Sequence, residues 1–468
     1  MAMSRNLGAG RSLGDVFPFG PGPFLILVLT VISGFYLLAD TLLNPPDAED
    51  ATLTMWTFAR QHYTAYENAL PAFEAKRTDE KVDLQLVHGD TVSRRLRAAF
   101  WADLDVPDVV EVEITRAGSF FRGPVEDLGF MDLRAWLGRP DPSDPEGRPL
   151  MDRIVKARFS SYTSRGHIFG LPHDVHPVML AYRRDVFEEL GIDASKLTTW
   201  DDFVREGRRV TDRTDRYMIN LSKRQAYSVE VFLFQRGGGY FDRDGRLTMD
   251  DERAVETIKW YVPLVAGPER IAADPTMFGP NFVQAVLDGY TLSFICPDWK
   301  SKTFETDAPG LAGKMALMPL PAFEPGGRRT STWGGTMVGI TKKCADPEVA
   351  WALVRHLYLE PEDLAQRFRD LNILPPYKDA WSQPAFHEKR SYWSGQAIGT
   401  EYIALAEQVP PKWGSPFLEL ASSKLGEVVA AAVTRYESRG KDGFDAFVRE
   451  RLKQAADEVR RQMERNPF

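Results

Sequence analysis

The chain has 468 residues, of which 43% are apolar, so it is a folded protein that is too long for a single compact core. We therefore expect two globular lobes. Its 58 basic and 66 acidic residues give a formal net charge of −8, which opposes a broad phosphate-binding surface. Nucleic acid is not expected as a partner.

An apolar run near the N-terminus predicts a membrane anchor. Residues 24–39 read FLILVLTVISGFYLLA without a charge, and the run continues past Asp40 to Leu43. As a helix it spans about 30 Å, enough to cross a bilayer. Two arginines precede it and acidic residues follow it, so the positive-inside rule places the globular part outside the cytoplasm. A cleaved signal peptide is the alternative, although no A-x-A site follows the run.

Strands and helices alternate after a Pro-containing linker. Apolar residues at period two predict strands near 53–57, 82–86 and 109–112, and helical spacing predicts a helix after each of the first two. This order predicts βαβ units and a mostly parallel sheet, whose ligands bind beyond the carboxyl ends of the strands. The loops after these strands are therefore the first places to look for a site.

A second series of the same kind begins near Gly170 and predicts a second lobe. It contains an apolar stretch at 178–182 and a helix opened by Thr199, with Asp202 at its third position as in a capping box. Asp346 precedes a first-turn proline and predicts another helix start. The last helix, from Phe444, carries an apolar stripe that indicates core packing.

Seven segments of this chain, taken in order, resemble the family 1 extracellular solute-binding proteins of carbohydrate ABC importers, the group that includes maltodextrin-binding protein. The resemblance implies an α/β, two-lobed, periplasmic-binding-protein-like fold whose hinge closes on a solute without a catalytic group. The segments are LTMWTFA at 53–59, VPDVVEVE at 106–113, IFGLPHDVHPVMLAYRRDVFEELGI at 168–192, LTTWDDFVREGRRVT at 197–211, FQRGGGYFDRDGRLTMDDERAVETIKWY at 234–261, FICPDW at 294–299 and TWGGTMVGITKKCADPEVAWALVRHLY at 332–358.

The resemblance and the apolar run together predict the domain order. We expect a cytoplasmic segment at 1–23, a transmembrane anchor at 24–43, a linker at 44–51, a first lobe at 52–168 and 326–374, and a second lobe at 169–325 and 375–468.

One departure from the family is the segment FWADLDV at 100–106, where a run of small residues that includes glycine is more usual.

A carbohydrate cleft needs aromatic platforms beside planar polar groups, because sugars present both apolar ring faces and hydroxyls. Phe58, Arg60 and His62 follow the first predicted strand, and Glu113 follows the third, where the family commonly offers a carboxylate. For Glu113 a surface or structural role is the alternative.

Trp299 is the leading single candidate, because Asp298 and Trp299 end an apolar strand at a place where this family often has a stacking tryptophan. A buried core tryptophan is the alternative. Trp333 beside Gly334 follows the same logic, since glycine lets the backbone approach a ligand closely. Gln235 is a further candidate.

The loop between Pro172 and Pro177 contributes Asp174 and His176 as candidate hydroxyl partners. A metal pair of His173 and His176 is the alternative, but the flanking prolines break any helix that would align the two imidazoles. No metal or cofactor is therefore expected. Tyr240, after the triple glycine at 237–239, completes the candidate ligand-binding residues.

The two cysteines, Cys296 and Cys344, have no spacing typical of a zinc site or a redox pair, and a disulfide between them stays open. A glycosidase is the rival class, but Glu111 and Glu113 do not show the flanking arrangement that such catalysis requires. A membrane-tethered sensor is a second rival, without a cytoplasmic output domain in this sequence. We expect capture of a carbohydrate or polyol, delivery to ABC permease subunits, and a place on the outer face of the inner membrane.

Overall fold

The computed structural model describes residues 26–34, 52–274 and 277–465. The chain divides into an N-terminal unit, Met1–Thr52, and a main unit, Leu53–Phe468. In the N-terminal unit residues 26–34 form a helix, α1, whose larger apolar side chains are exposed.

Among the described residues, no helix has both the length and the apolar character needed to cross a bilayer. The other residues of the expected anchor, 24–25 and 35–43, lie outside the described part of the chain, as do the expected cytoplasmic segment 1–23 and linker 44–51.

The strands of the main unit are short and belong to two five-stranded sheets and one two-stranded hairpin. They are β1 (Leu53–Thr57), β2 (Val82–Leu86), β3 (Val109–Glu113), β4 (Thr163–Ser164), β5 (His167–Ile168), β6 (Leu171–Pro172), β7 (Val178–Arg183), β8 (Ile219–Asn220), β9 (Ala272–Ala273), β10 (Ser293–Pro297), β11 (Met315–Pro319) and β12 (Thr336–Ile340).

The helices of the main unit cover the faces of these sheets. They are α2 (Arg60–Lys76), α3 (Gly89–Ala102), α4 (Ile114–Ala117), α5 (Arg134–Leu137), α6 (Leu150–Arg153), α7 (Arg184–Glu189), α8 (Trp200–Arg213), α9 (Ala226–Gln235), α10 (Glu252–Val265), α11 (Pro280–Leu287), α12 (Asp298–Asp307), α13 (Pro347–Leu359), α14 (Pro361–Leu371), α15 (Ile398–Ala406), α16 (Leu418–Arg439) and α17 (Phe444–Arg465).

Two lobes form around the two large sheets. The first sheet has the order β2-β1-β3-β12-β6, and the second has the order β11-β7-β10-β8-β9. In the second lobe α16 and α17 pack with α9 and α10 through the buried stripe that the sequence predicts, from Phe444 to Val459. The two-lobed α/β architecture is confirmed.

The sheets are mixed, so the prediction of mostly parallel sheets is wrong. β1 is parallel to β2 and β3, but β12 is antiparallel to β3 and β6. In the second sheet β8 is parallel to β9 and β10, whereas β7 is antiparallel to β10 and β11. The antiparallel strands β7 and β12 are those that the chain reaches by crossing from the other lobe, where no helical crossover imposes a parallel direction.

Local predictions from capping residues are confirmed. Thr199 and Asp202 form a reciprocal capping box at the start of α8. Asp346 accepts hydrogen bonds from two backbone amides at the start of α13, directly before a first-turn proline. Cys296 and Cys344 are both buried and free, so no disulfide joins them.

The segments that cross between the lobes hydrogen-bond to one another. His173 N donates to Thr336 O at 2.9 Å, and Val178 N donates to Ser331 O at 3.3 Å. A third segment joins them, because Val175 N donates to Leu374 O at 3.0 Å. These three segments form a hinge beside the cleft.

Candidate functional site

A cavity of about 620 Å³ lies where the two lobes meet. It opens beyond the carboxyl end of β3, at the edge of the sheet where the alternation of strands and helices predicts a ligand. Its walls come from the β3–α4 junction, from α9, from the crossing segment after β11, and from α16 with the loop before it. The lining residues are Glu113, Ile114, Thr115, Arg224, Gln225, Ala226, Tyr227, Glu230, Trp333, Gly334, Lys412, Ser422, Ser423, Gly426, Glu427 and Ala430.

The aromatic rings of Tyr227 and Trp333 line this cavity, and Phe278 and Trp299 contact Trp333 outside the lining. Trp333 and Tyr227 are stacked, with centroids 5.5 Å apart and planes inclined by 14°. Trp299 meets Trp333 edge to face at 5.6 Å and stacks on Phe278 at 6.1 Å. Both tryptophans are half-buried and Phe278 is 45% exposed, and the rings that line the cavity itself are those of Tyr227 and Trp333. We call Tyr227, Phe278, Trp299 and Trp333 the aromatic wall.

Gly334 lets the backbone pass between the aromatic wall and the hinge. Its φ is +90°, and a Cβ there would lie 3.1 Å from Trp299 Nε1 and 3.3 Å from His176 Cδ2. Trp299 Nε1 also donates to the carbonyl of Trp333 at 3.1 Å. A side chain at position 334 would therefore disturb the orientation of both tryptophans.

A buried ion pair also lines the cavity. Lys412 Nζ is 3.2 Å from Glu230 Oε2, and both side chains are less than a tenth exposed. Glu230 also accepts hydrogen bonds from the hydroxyls of Tyr240 at 2.7 Å and Ser422 at 3.0 Å. Burial opposes the charge of Glu230, but the Lys412 ammonium and these hydroxyls hold its pKa below the ordinary value.

Glu113 ends β3 and caps α4 at the mouth of the cavity. One carboxylate oxygen accepts from the backbone amide of Thr115 at 2.9 Å and from the Thr115 hydroxyl. Burial raises the pKa of Glu113 despite these hydrogen bonds. A half-buried carboxyl with a raised pKa suits a hydrogen-bonding partner for a neutral hydroxyl.

Three predicted residues lie in the hinge behind the aromatic wall. His176 lies between two carboxylates, with Nε2 3.1 Å from Asp174 Oδ2 and Nδ1 2.6 Å from Asp298 Oδ1. Asp174 also accepts from Arg158 at 3.0 Å and from the amide of Thr336 at 3.0 Å. Both carboxylates are fully buried, so the structure places this group beneath the cleft surface.

His62 lies in a second buried network, around Glu111. Glu111 accepts hydrogen bonds from Thr57, Tyr66 and Tyr358, and His62 Nδ1 lies 3.1 Å from its Oε2. This network underlies the carboxyl ends of β1 and β3.

The same network holds the one cluster among the described residues that has metal-ligand spacing. Ligand atoms of His62, Glu111 and His173 lie within 4.8 Å of one another. Burial and the neighbouring His62 lower the pKa of His173 to about 4, so its imidazole is neutral. However, Glu111 already accepts several hydrogen bonds, and Arg367 Nη1 lies 3.4 Å from His173 Nε2. We interpret the cluster as a hydrogen-bond network, because a cation would have to displace these donors.

The remaining predicted residues lie away from the main cavity. Phe58 lines an adjoining cavity of about 320 Å³ together with Glu113. Arg60 is exposed at the start of α2. Gln235 is buried, and its amide is bonded to Trp200, Pro321 and Arg328. Tyr240 is also buried, behind Glu230.

Tyr227, Glu230 and Lys412 line the cavity and were not predicted from the sequence. Tyr227 and Glu230 are one helical turn apart on α9, and that spacing is the one signal that could have indicated a shared face. Lys412 follows two prolines in a loop, where no periodicity indicates what a side chain contacts.

Lys300 lies behind the aromatic wall with its side chain buried. Its ammonium donates to the carbonyl of Met277 at 3.1 Å and lies 4.6 to 5.2 Å from the ring centroids of Phe278, Phe282, Phe294 and Trp333. Burial lowers the pKa of Lys300 to about 7.

Two lobes, a hinge of crossing segments and an aromatic-lined cavity between them define a binding protein that closes on a solute. The chain belongs to the bacterial extracellular solute-binding protein family, whose model it matches over residues 59–362. It is a binding protein and not an enzyme.

Relatives and solved structures agree with this assignment. The chain is 28% identical over 352 residues to the arabinooligosaccharide-binding protein of Halalkalibacterium halodurans, covering 74% of this chain and 76% of that protein. It is 25% identical over 388 residues to the arabinooligosaccharide-binding protein of Bacillus subtilis, covering 82% and 87%. The sugar-binding protein MalE from Xanthomonas citri has the same fold, with a TM-score of 0.73 at 20% identity, covering 88% of this chain and 98% of that chain.

Proposed function

We propose that this protein captures a carbohydrate or polyol in the cavity between its lobes and delivers it to the permease of an ABC importer. The observation that carries the proposal is that the rings of Tyr227 and Trp333 line one cavity together with the polar groups of Glu113, Glu230 and Lys412. Rings suit the apolar faces of a sugar, and charged planar groups suit its hydroxyls.

Short oligosaccharides are the first ligands to test. The cavity volume of about 620 Å³ is within the range of small-molecule sites and leaves room for more than one sugar ring. Two relatives are named for binding arabinooligosaccharides, which makes these the leading class within the proposal.

In this proposal Trp333, Trp299 and Gly334 shape the aromatic side of the site, and Glu113 meets ligand hydroxyls from the first lobe. Asp298, Asp174 and His176 hold the hinge beneath it. The predicted contacts of Phe58, Arg60 and His62 with ligand remain proposals for the closed state, in which the lobes approach each other.

Isothermal titration calorimetry with arabinooligosaccharides, arabinose and a charged amino acid tests the function. We expect saturable binding of the oligosaccharides. In a separate thermal denaturation experiment the same oligosaccharides should raise the melting temperature, because a ligand that binds only the folded state stabilises it by mass action. Binding of the amino acid with no response to any sugar or polyol would overturn the proposal.

The proposal includes an uncleaved anchor at residues 24–43, which keeps the protein on the outer face of the inner membrane. It rests on the charge-free run at 24–39. Membrane fractionation tests it: we expect the full chain in the membrane fraction. A mature chain beginning near Asp47 in the soluble extracytoplasmic fraction would contradict it.

A further inference from the structure

Trp101, at the end of α3, is the most exposed large apolar side chain of the described residues. It is 91% exposed, and Leu104 in the following turn is 57% exposed. The opposite side of the same helix packs on the core, where Val92, Leu96 and Ala99 are buried. A protruding tryptophan beside an exposed leucine is not explained by the fold or by the cleft.

Three arginines accompany this tryptophan on α3. Arg94 and Arg97 lie seven and four residues before Trp101, so all three fall on one face of the helix, and Arg95 flanks it. All three arginines are exposed. In the part of the chain that the structure describes, no carboxylate oxygen lies within the 4.0 Å of an ion pair from any of the three guanidinium groups.

The acidic groups near this face are largely neutralised by other cations. Asp90 pairs with Arg116 at 2.5 Å, and Asp103 pairs with Lys343 at 2.8 Å. Asp105 is the remaining acid of the turn after α3. The face is therefore basic, although the whole protein has a net charge of −8.

This face of α3 lies at the edge of the sheet where the chain enters the main unit. The amide of Thr54, at the start of β1, donates to Asp108 Oδ2 at 2.8 Å, and Asp108 follows the end of α3 by six residues. The chain therefore enters the main unit at the same edge of the sheet that carries Trp101 and Leu104. The nine residues between Leu43 and Leu53 span at most about 35 Å when extended.

We propose that Arg94, Arg95, Arg97, Trp101 and Leu104 form a surface that docks on the anionic phospholipid bilayer to which the chain is anchored. We call these five residues the α3 surface. Arginine matches lipid phosphates, and tryptophan is the side chain that favours the headgroup region. Because the rest of the protein is acidic, a basic face also fixes which side turns to an anionic membrane.

The inference rests on the proposed anchor for its local concentration, because tethering makes a weak contact effectively intramolecular. Docking in this way would hold the first lobe in one orientation on the bilayer. It gives a physical role to the segment FWADLDV at 100–106, the segment in which this chain departs from the usual family pattern.

A fluorescent label next to Trp101 tests the α3 surface in the full chain. Ala102 is exposed, and both native cysteines are buried, so an Ala102→Cys variant accepts an environment-sensitive dye at one position. In proteoliposomes of equimolar phosphatidylglycerol and phosphatidylcholine we expect a blue shift and protection from aqueous iodide. A label at Gln454→Cys, exposed on α17, is the matched control and should stay accessible.

Two variants in the labelled background separate the contributions of charge and ring. Arg94→Gln with Arg97→Gln should reduce the docked population about fivefold for each arginine. Trp101→Ser with Leu104→Ser should abolish the blue shift. Raising the salt concentration should weaken docking, since surface electrostatics are screened.

The outcomes distinguish the surface from the anchor. Co-flotation of the full chain with neutral vesicles reports the anchor alone, whereas label protection that requires phosphatidylglycerol reports the α3 surface. Equal iodide accessibility in anionic proteoliposomes and in detergent would overturn the inference. Protection that appears only when permease subunits are added would also overturn it, because the partner would then be a protein.

Discussion

His176 Nδ1 lies 2.6 Å from Asp298 Oδ1, a contact that joins the crossing segment after β6 to the first turn of α12. The second ring nitrogen of His176 lies 3.1 Å from Asp174 Oδ2, so one imidazole bridges two buried carboxylates. Asp298 Oδ2 also accepts from the amide of Leu374 at 2.7 Å. His176 and its two carboxylate partners therefore link three crossing segments of the hinge, since Asp174 also accepts from the amide of Thr336.

The first prediction is that His176 stabilises the fold in neutral and mildly acidic solution and loses this effect in alkali. Burial opposes its charge, but Asp174 and Asp298 raise its pKa from 6.5 to about 9. A raised folded pKa gives stability that is complete below 6.5 and is lost as the pH rises towards 9. The full contribution is on the order of 3 kcal/mol.

The difference in free energy of unfolding between the native protein and a His176→Gln variant measures this effect. Urea denaturation should show the largest difference below pH 6.5 and a steady decline towards pH 9. His387→Gln, at an exposed position, is the control and should show no such trend. A difference that is constant across this range would mean that the pKa of His176 is the same in the folded and unfolded states, and would contradict the prediction.

The second prediction concerns Trp333, the tryptophan that lines the cavity. Trp333→Ala should weaken sugar binding by about 1 to 3 kcal/mol, because the ring face that stacks on a sugar is lost. Calorimetric affinity should fall while the far-UV circular dichroism spectrum is retained. Trp101→Ala, on the α3 surface, is the matched control and should leave the affinity unchanged. Native affinity with a lowered melting temperature would make Trp333 a packing residue alone.

Much of the fold could be predicted because its signals are local. Period-two alternation located β1, β2 and β3, and capping residues such as Thr199 and Asp346 located the starts of α8 and α13. The direction of β7 and β12 could not be predicted in this way. It depends on how the chain returns from the other lobe, which no short window of sequence records.

The candidate site was predicted only in part, for a related reason. Trp333 and Gly334 line the cavity, whereas Gln235 has its amide bonded within the second lobe. Lys412 lies 182 residues from its partner Glu230 in sequence, so the pair exists only in the folded chain. Burial of a polar side chain is set by such distant partners.

The third prediction is that a methyl group at Gly334 impairs binding more than its backbone cost explains. Gly334→Ala adds a Cβ 3.1 Å from Trp299 Nε1, in a backbone with φ of +90°. Gly245→Ala is the matched control, since its φ is +77° and nothing lies within 4 Å of its Cβ. Both variants should lose about 1 kcal/mol of stability from the backbone alone.

The affinity for sugar should differ between the Gly334→Ala and Gly245→Ala variants. Gly334→Ala should bind at least several-fold more weakly because Trp299 and Trp333 are displaced, and Gly245→Ala should bind as the native protein does. Equal affinity of the two variants would show that the aromatic wall tolerates a side chain at position 334.

The fourth prediction is that Lys300→Met stabilises the protein. The Lys300 ammonium is buried among four rings, and a buried charge costs free energy that ring contacts and one carbonyl offset only in part. Methionine has a similar length and no charge, so we expect a gain of about 1 to 3 kcal/mol at pH 6. Lys389→Met, at an exposed position, is the control and should change stability little.

The stability difference between Lys300→Met and the native protein should depend on pH. Burial lowers the pKa of Lys300 from 10.5 to about 7, so the folded protein loses this proton before the unfolded chain does. The native protein therefore gains stability from this residue as the pH rises from 7 to 10.5, and the advantage of Lys300→Met should shrink over the same interval. Urea denaturation of both proteins at pH 6, 8 and 10 measures it. A variant that is less stable than the native protein at pH 6 would show that the ring contacts of the ammonium outweigh its desolvation.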